Sequence, residues 1–164
     1  MRNIYIIILL CASANAFPQF YAKEIGIRGG YTAGISIRIN IEEALSYEGL
    51  VSYRDNGAVF TAIRQKHKEI GMDKFGNWEF LYGFGPHAGF YFTDSYRVLF
   101  REIYFGRKLF TPVLGMNGYL GIEYQLVNTP VSFGCSFKPF MEISLKQLFG
   151  VNFWDFGLNV RYRF

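Results

Sequence analysis

Long apolar runs are missing from this sequence beyond its N-terminal segment. A helix needs about twenty apolar residues to cross a bilayer, and no later stretch offers them. Charged residues are also scarce, at 18%, and the 17 basic and 13 acidic residues are spread along the chain rather than clustered. These absences exclude a helical membrane protein and leave no basic patch typical of a nucleic-acid-binding protein.

Cysteine and histidine are equally rare. Cys11 lies in the N-terminal segment, so removal of that segment would leave Cys135 as one thiol without a disulfide partner. His67 and His87 are twenty residues apart and are expected on separate strands, which makes no recognisable zinc-ligand set. The sequence therefore predicts no metal and no cofactor.

The N-terminal segment has the three parts of a secretory leader. Arg2 supplies positive charge, Ile4 to Leu10 form the apolar core, and Ala14-Asn15-Ala16 is an A-x-A cleavage site. Its apolar core is too short to span a bilayer. We predict a signal peptide over residues 1–16 and a mature domain over residues 17–164, with cleavage after Ala22 left open.

Aromatic residues and glycine are abundant instead, with 18 Phe, 12 Tyr and 18 Gly. The C-terminal segment shows how they are arranged, because every second residue is apolar and the residues between are Asp, Gly, Asn or Arg. This period of two predicts a strand with one apolar and one polar face. The apolar positions are Trp154, Phe156, Leu158, Val160, Tyr162 and Phe164.

The same alternation recurs along the mature chain, although it is poor between residues 96 and 106. It predicts eight strands, at residues 25–40, 45–54, 58–69, 78–92, 96–106, 119–127, 131–145 and 154–164.

The connections between these strands alternate in length. Short turns are expected at 55–57, 93–95 and 128–130, and longer loops near 40–44, 70–77, 107–114 and 146–150. This pattern is typical of an all-β, eight-stranded antiparallel up-and-down transmembrane β-barrel with short periplasmic turns and longer external loops. Closure is required because an open edge in lipid would leave backbone N–H and C=O groups unpaired.

Three segments resemble the small outer-membrane barrels common in Bacteroidetes: G-P-H-A-G-F-Y (85–91), G-Y-L-G-I-E-Y (118–124) and N-V-R-Y-R-F (159–164). The resemblance implies a location in the outer membrane of a Gram-negative cell envelope, export through the Sec system, and insertion by the barrel-assembly machinery. It implies no specific activity. The barrel-assembly signal would be carried by Leu158, Val160, Tyr162 and Phe164. For partners, we expect contacts with outer-membrane lipid and lipopolysaccharide, and a surface ligand that the sequence does not identify. We also expect a monomer.

A barrel of eight strands is just filled by its own side chains, so its inward polar residues should meet. We expect an ion-pair and hydrogen-bond core rather than a pore, with a proton path or a buried catalytic group as the alternative. Its predicted members are Arg28, Arg38, Glu48, Arg64, Glu79, His87, Glu123, Lys138, Glu142 and Arg161.

Catalysis has one candidate in the sequence, His67, at the expected external end of the third strand. Nucleophilic catalysis needs a nucleophile within hydrogen-bond reach of the base, and no serine lies in the adjacent loop. Only Thr61 and Tyr82 are near in sequence. We therefore predict a non-catalytic protein with an envelope-structural or loop-mediated binding role, and keep a lipid-modifying enzyme as an alternative.

The external loops are expected to be basic. Their basic side chains either keep the loop tips hydrated or contact lipopolysaccharide phosphates or an acidic partner. Trp78 and Trp154 should mark the outer interface. Alternation does not distinguish inside from outside, so a soluble periplasmic lipid-binding barrel with inverted faces also stays open. The basic positions are Lys66, Lys68, Lys74, Arg107, Lys108 and Lys146.

Overall fold

A computed structural model describes residues 23–54, 56–98, 101–144 and 147–164. The predicted signal peptide therefore lies outside the described residues. No helix in the described ranges is long and apolar enough to cross a membrane. The strands are β1 (Lys23–Gly30), β2 (Ala33–Glu42), β3 (Leu45–Arg54), β4 (Gly57–Met72), β5 (Gly76–Val98), β6 (Arg101–Leu126), β7 (Val131–Phe137), β8 (Phe140–Ser144), β9 (Gln147–Asn152) and β10 (Phe156–Arg163).

Antiparallel pairing closes these strands into a ring. Each of β1 to β6 pairs with the next strand, β6 pairs with β7, β7 with β10, and β10 with β1. β7 and β8 both pair with β6 and are two parts of one wall strand, interrupted at Lys138 and Pro139, where proline lacks the N–H that a ladder needs. β9 and β10 form the last wall strand in the same way. The predicted eight-stranded up-and-down barrel is confirmed.

The strand count is right, but one connection was not predicted and two predicted connections lie inside strands. The strand expected at 25–40 is broken by a two-residue turn at Tyr31 and Thr32. The sequence pattern hid this turn because an even-numbered turn leaves the odd residues outward on both sides. Gly30 permits it with a φ of 154°, and a Cβ there would collide with the Phe156 carbonyl oxygen.

The turn expected at 93–95 and the loop expected at 107–114 lie inside strands instead. Pairing between β5 and β6 runs from Gly76–Leu126 to Val98–Arg101, and the Thr93-Asp94-Ser95 segment forms only a register shift. This hairpin extends past its neighbours, because β4 stops pairing with β5 at Phe90. The turn-like composition of 93–95 is therefore accommodated by a bulge in a two-stranded arm.

The two ends of the barrel differ. One end, called the terminal mouth, carries the first described residue, Lys23, paired with Phe164, and the connections 43–44, 73–75 and 127–130. The other, called the hairpin end, carries the turn at 31–32 and the β5–β6 arm. The connections near 70–77 and 128–130 were expected at opposite ends, but Val127 N–H donates to the Phe75 carbonyl at 3.0 Å and places them together.

The strands are strongly staggered. Following paired residues from Ile27 in one direction round the ring reaches β6 at Leu114, and in the other direction at Tyr124, ten residues away. A stagger of this size tilts the strands by roughly 40° and leaves an interior that side chains fill.

Strand alternation separates the two faces of this wall. Apolar side chains point outward and are exposed, whereas most polar side chains point inward and are buried. The interior is not wholly polar, because β4, β5 and β6 contribute two small apolar clusters. These clusters are Val59, Tyr91 and Val113, and Ile63, Leu81 and Tyr119.

Candidate functional site

Nine of the ten residues predicted for the polar interior point into the barrel, and Arg64 does not. Residues directly opposite in an antiparallel pair share a face. Arg64 lies opposite outward-facing Tyr47, whereas Ile63 lies opposite inward-facing Glu48. The apolar run Val59–Thr61–Ile63 thus faces inward, and Arg64 is exposed on the outside. The nine inward residues are Arg28, Arg38, Glu48, Glu79, His87, Glu123, Lys138, Glu142 and Arg161.

The middle of the barrel holds a network of two guanidinium and three carboxylate groups. Arg38 lies 3.0 Å from Glu24, 3.1 Å from Glu123 and 3.8 Å from Glu48. Arg161 lies 2.8 Å from Glu48 and 3.4 Å from Glu123. Each carboxylate that faces this network therefore has an opposite charge beside it, which buried charges require.

Neutral side chains complete the same network. Ser132 donates to Glu123 at 2.6 Å, Gln65 donates to Glu48, and Arg161 donates to Ser36 at 2.8 Å. These hydrogen bonds use further lone pairs of the carboxylates and a further N–H of the Arg161 guanidinium, beyond those in the ion pairs. The arrangement is that of a packed structural core, with charges shared among five strands.

A second cluster lies towards the hairpin end. Asp155 accepts from Arg28 at 2.9 Å and from the Thr32 hydroxyl at 2.7 Å, and it lies 3.6 Å from the Lys138 amine. Asp155 sits in the break between β9 and β10, so this cluster ties the interrupted wall strand to β1 and to the turn at 31–32.

His87 belongs to a third buried cluster. Asn117 donates an amide proton to one ring nitrogen at 3.0 Å, so the other nitrogen carries the ring proton and faces Glu142 at 3.4 Å. Glu142 also accepts from Arg54 at 2.7 Å and from the Tyr91 hydroxyl at 3.2 Å. The Arg54 guanidinium lies over the Tyr91 ring, 4.4 Å from its centroid. His87 is thus enclosed in hydrogen bonds inside the barrel.

His67 has different surroundings at the terminal mouth. Its Nε2 lies 2.7 Å from the Ser46 Oγ, and its Nδ1 lies 3.0 Å from the Glu79 carboxylate. The three side chains come from β3, β4 and β5, which are neighbours in the wall. Ser46 is directly opposite Gln65, and His67 follows two positions later on the same inward face. The register of two hairpins therefore builds a serine–histidine–carboxylate chain.

A cavity of about 620 Å³ opens beside this chain. His67 and Glu79 line it, together with Ala44 of the β2–β3 turn. The other lining residues are polar or charged: Glu24, Asn40, Glu43, Glu69, Asn77, Gln125 and Arg163. Among the described residues of the lining, there are four carboxylates and one guanidinium, so acidic groups outnumber basic ones in the cavity wall.

Sequence reasoning found His67 but missed its partners. It looked for a serine in the adjacent loop, whereas Ser46 lies 21 residues away in sequence and reaches His67 through the β3–β4 register. Glu79 was placed in the interior without a partner. The signal that could have found them is parity, because Ser46 and Glu79 both lie on predicted polar faces next to the strand of His67.

The basic residues do not form one external set. Lys66 and Lys68 are exposed on strand β4 rather than in a loop, and Lys74 lies in the three-residue turn at the terminal mouth. Arg107 and Lys108 lie on β6 at the hairpin end, where their side chains are outside the described part of the chain, and Lys146 is outside the described residues. The described positions lie at opposite ends of the barrel because residues 107–114, expected as an external loop, belong to β6 near its connection with β5.

The C-terminal residues of the predicted assembly signal lie on the outer face of β10, between β1 and β7. They are all exposed: Leu158, Val160, Tyr162 and Phe164. Trp78 lies next to the terminal mouth, where its ring packs 4.7 Å from that of Tyr124, and Trp154 lies at the hairpin end. The two tryptophans therefore mark opposite ends, not one interface as expected.

Comparisons of the chain with protein-family models, with curated proteins and with solved structures find no match.

Proposed function

We propose that the protein is an integral outer-membrane β-barrel that lies in lipid through its apolar outer surface and serves the envelope as a structural element. One observation carries this proposal: a wall of exposed apolar side chains surrounds an interior of ion pairs. Soluble monomers rarely expose contiguous apolar surface larger than a few hundred Å².

The outer surface supports it strand by strand. β1 exposes Ile25 and Ile27, β2 exposes Ile35 and Ile37, and β3 exposes Val51. The far side of the ring continues the belt, where the exposed residues are Phe84, Leu114, Leu120, Ile122, Phe133, Met141, Ile143, Leu158 and Val160. Exposed basic side chains on the described strands occur on the side of the terminal mouth, at Lys23, Arg64, Lys66 and Lys68, and Arg64 lies opposite Phe84 at the margin of the belt. An apolar band bounded by charge is the pattern of a barrel surface matched to a bilayer.

Aromatic rings also support a membrane position. At the hairpin end, the outward rings of Phe92 and Phe110 lie 5.5 Å apart, and Trp154 lies 6.4 Å from Phe156. At the terminal mouth, Trp78 and Tyr124 form the corresponding pair. Rings at both ends of an apolar band resemble the two aromatic girdles of a membrane barrel.

The alternative of a soluble barrel holding an apolar ligand needs its apolar faces inside. The described interior instead holds Arg38, Arg161 and their carboxylates, with only two small apolar clusters. That distribution favours the membrane barrel. The outer-membrane location, the monomeric state and the C-terminal assembly signal are parts of the same proposal.

The test is cell fractionation combined with gel mobility before and after boiling. We expect the protein in the outer-membrane fraction, as a fast-migrating unboiled band that slows on boiling. Deletion of Phe164 should lower the amount of that band without changing the leader or the interior. A protein recovered in the soluble periplasm, with no mobility shift and no effect of the deletion, would contradict the proposal.

A further inference from the structure

Ser46, His67 and Glu79 have the connectivity of a nucleophile, a base and an orienting acid. We propose that they form an acyl-transfer site that cleaves small carboxylic esters whose remaining part is neutral or positively charged. This inference goes beyond the membrane proposal and does not depend on it, because the site lies inside the terminal mouth and is equally present in a soluble barrel.

The hydrogen-bond directions follow from chemistry. An ionised Glu79 can only accept, so the His67 Nδ1 at 3.0 Å carries the ring proton. The other ring nitrogen, Nε2, is then an acceptor, and the Ser46 hydroxyl at 2.7 Å donates to it. The Gln65 Oε1, at 3.5 Å from the Ser46 Oγ, is the weaker competitor for that proton. The serine hydroxyl is therefore held against a base whose tautomer is set by a third group.

The second histidine of the described residues has different surroundings. His87 is 2% exposed and its ring nitrogens face Asn117 and Glu142, with no hydroxyl nucleophile among those two partners. His67 instead borders a cavity of about 620 Å³ that can hold a small molecule.

Ser46 contacts the lining of this cavity without lining it. Its Oγ lies 2.7 Å from the ring of His67, which lines the cavity, and the side chain is fully covered. The neighbouring turn, Glu43–Ala44, is exposed and is held to β4 by the His67 N–H, which donates to the Ala44 carbonyl at 2.9 Å. In the proposed site an acyl carbonyl reaches the Ser46 oxygen when this short turn shifts outward, as surface connections do in many enzymes.

The reaction balances with water as the only co-reactant. The Ser46 oxygen attacks the ester carbonyl, and its proton moves to the His67 Nε2. The C–O bond to the leaving alcohol then breaks, and that proton passes from His67 to the alcohol. Water attacks the acyl-serine, gives its proton to His67, and releases the carboxylic acid as Ser46 recovers its proton. Gln125 and Asn77 line the cavity as side-chain amides, the type of N–H donor that stabilises a developing oxyanion.

The lining charge selects the substrate. Glu43 and Glu69 line the cavity against one guanidinium, Arg163, and this charge balance disfavours anions such as the phosphorylated headgroups of lipopolysaccharide. A neutral or cationic ester avoids this repulsion. The polar lining likewise favours a short acyl group over a long alkyl chain.

The experiment uses the folded full-length protein in detergent and a small neutral serine reagent, methanesulfonyl fluoride, with mass spectrometry of the digested product. We expect one adduct, on Ser46, absent in Ser46→Ala and strongly reduced in His67→Gln. Ser52→Ala is the matched control, because Ser52 is a buried serine of the same strand that donates to a backbone carbonyl. It should be labelled like the unchanged protein.

Turnover is measured on 4-nitrophenyl acetate, on cationic acetylcholine, and on the anionic 4-nitrophenyl monoester of succinic acid. Ser46→Ala and His67→Gln should each lower kcat/KM by at least about 100-fold, and Glu79→Gln by about 10- to 100-fold. The Ser46→Ala/His67→Gln double variant should be no slower than either single variant, since the residues act as a unit. The anionic ester should be the poorest substrate.

A purely structural hydrogen-bond chain gives a different result. No adduct on Ser46, or hydrolysis unchanged in Ser46→Ala, in protein that keeps the far-ultraviolet circular dichroism of a folded β-barrel would overturn the proposal. Because that spectrum is measured on the same samples and does not require a membrane, loss of the site is distinguished from loss of the barrel and from failure of the membrane proposal.

Discussion

The middle of the barrel and its terminal mouth contain the same kinds of residue in different roles. In the middle, Arg38 is fully buried and its charge is met by Glu24, Glu48 and Glu123. At the mouth, His67 faces a cavity and has one carboxylate, Glu79, as its ionic partner. An arginine stays protonated, so the middle holds fixed charge, whereas a histidine can take and return a proton.

The contrast indicates where chemistry is possible in a narrow barrel. Charges enclosed by opposite charges stabilise the fold and have no room for a substrate. A titratable ring beside a cavity, with a hydroxyl on one nitrogen and a carboxylate on the other, can take part in catalysis. The following predictions test that contrast.

Removal of Arg38 should have the largest effect. Arg38→Met keeps most of the side-chain volume but leaves three carboxylates without the charge they surround. Breaking such a buried set is expected to lower the free energy of unfolding by about 3–5 kcal/mol. Urea unfolding, followed by the gel mobility of unboiled samples, measures it.

Arg64→Met is the matched control, because Arg64 carries the same group on the outer face. We expect it to change the free energy of unfolding by less than about 1 kcal/mol. If the two substitutions lowered the free energy of unfolding equally, the interior ion pairs would stabilise the fold no more than an exposed arginine does.

A charge on the outer wall should be costly only in lipid. Leu158→Arg places a guanidinium on the exposed apolar face of β10 and should destabilise the barrel in vesicles by about 2–4 kcal/mol if it lies at bilayer depth. Lys66→Arg keeps an existing outward charge and should be near neutral. A stable Leu158→Arg barrel that no longer needs lipid or detergent would instead indicate a water-soluble protein.

The mouth should tolerate loss of charge better than the middle. Glu79→Gln removes the charge beside a partly exposed His67 and should lower stability by about 1 kcal/mol, the usual contribution of one hydrogen bond. Glu123→Gln is the isosteric comparison and should cost several times more, since Glu123 serves both Arg38 and Arg161. Similar unfolding midpoints for the two variants would remove the distinction between the regions.

The smallest effect is expected at the turn 73–75. Backbone N–H groups of Phe75 and Gly76 and the Tyr124 hydroxyl donate to Asp73 and lower the pKa of its carboxyl. Because the pKa is lowered by folding, the ordering of the turn is present above the unfolded pKa of about 3.9 and is lost as pH falls through the folded value. The protection factors of the Phe75 and Gly76 amides, which compare observed exchange with the intrinsic rate at the same pH, should fall at low pH, and in Asp73→Asn they should be low already at neutral pH. Protection factors that depend on neither the pH nor the Asp73→Asn substitution would contradict this explanation.

Sequence patterns could predict the barrel because alternation depends only on neighbouring residues. They could not place the turn at Tyr31 and Thr32, since a two-residue turn preserves the alternation, nor the direction of Arg64, which depends on its partner Tyr47. Parity could indicate that Ser46 lies on a polar face next to the strand of His67, but the contact itself is set by the register between the strands. Local pattern thus predicts which residues form strands, and long-range pairing decides which side chains meet.

If the outer wall of the barrel lies in lipid, Cys135 lies there too, and a probe attached to it offers the sharpest measurement. Cys135 is exposed on β7, opposite Ile122 on one side and Leu158 on the other. A nitroxide attached there, in protein folded into vesicles and free of other thiols, reports collisions with oxygen, which concentrates in lipid, and with a water-soluble nickel chelate. We predict frequent collisions with oxygen and few with the chelate. Frequent collisions with the chelate would place this face in water and contradict a barrel embedded in the membrane.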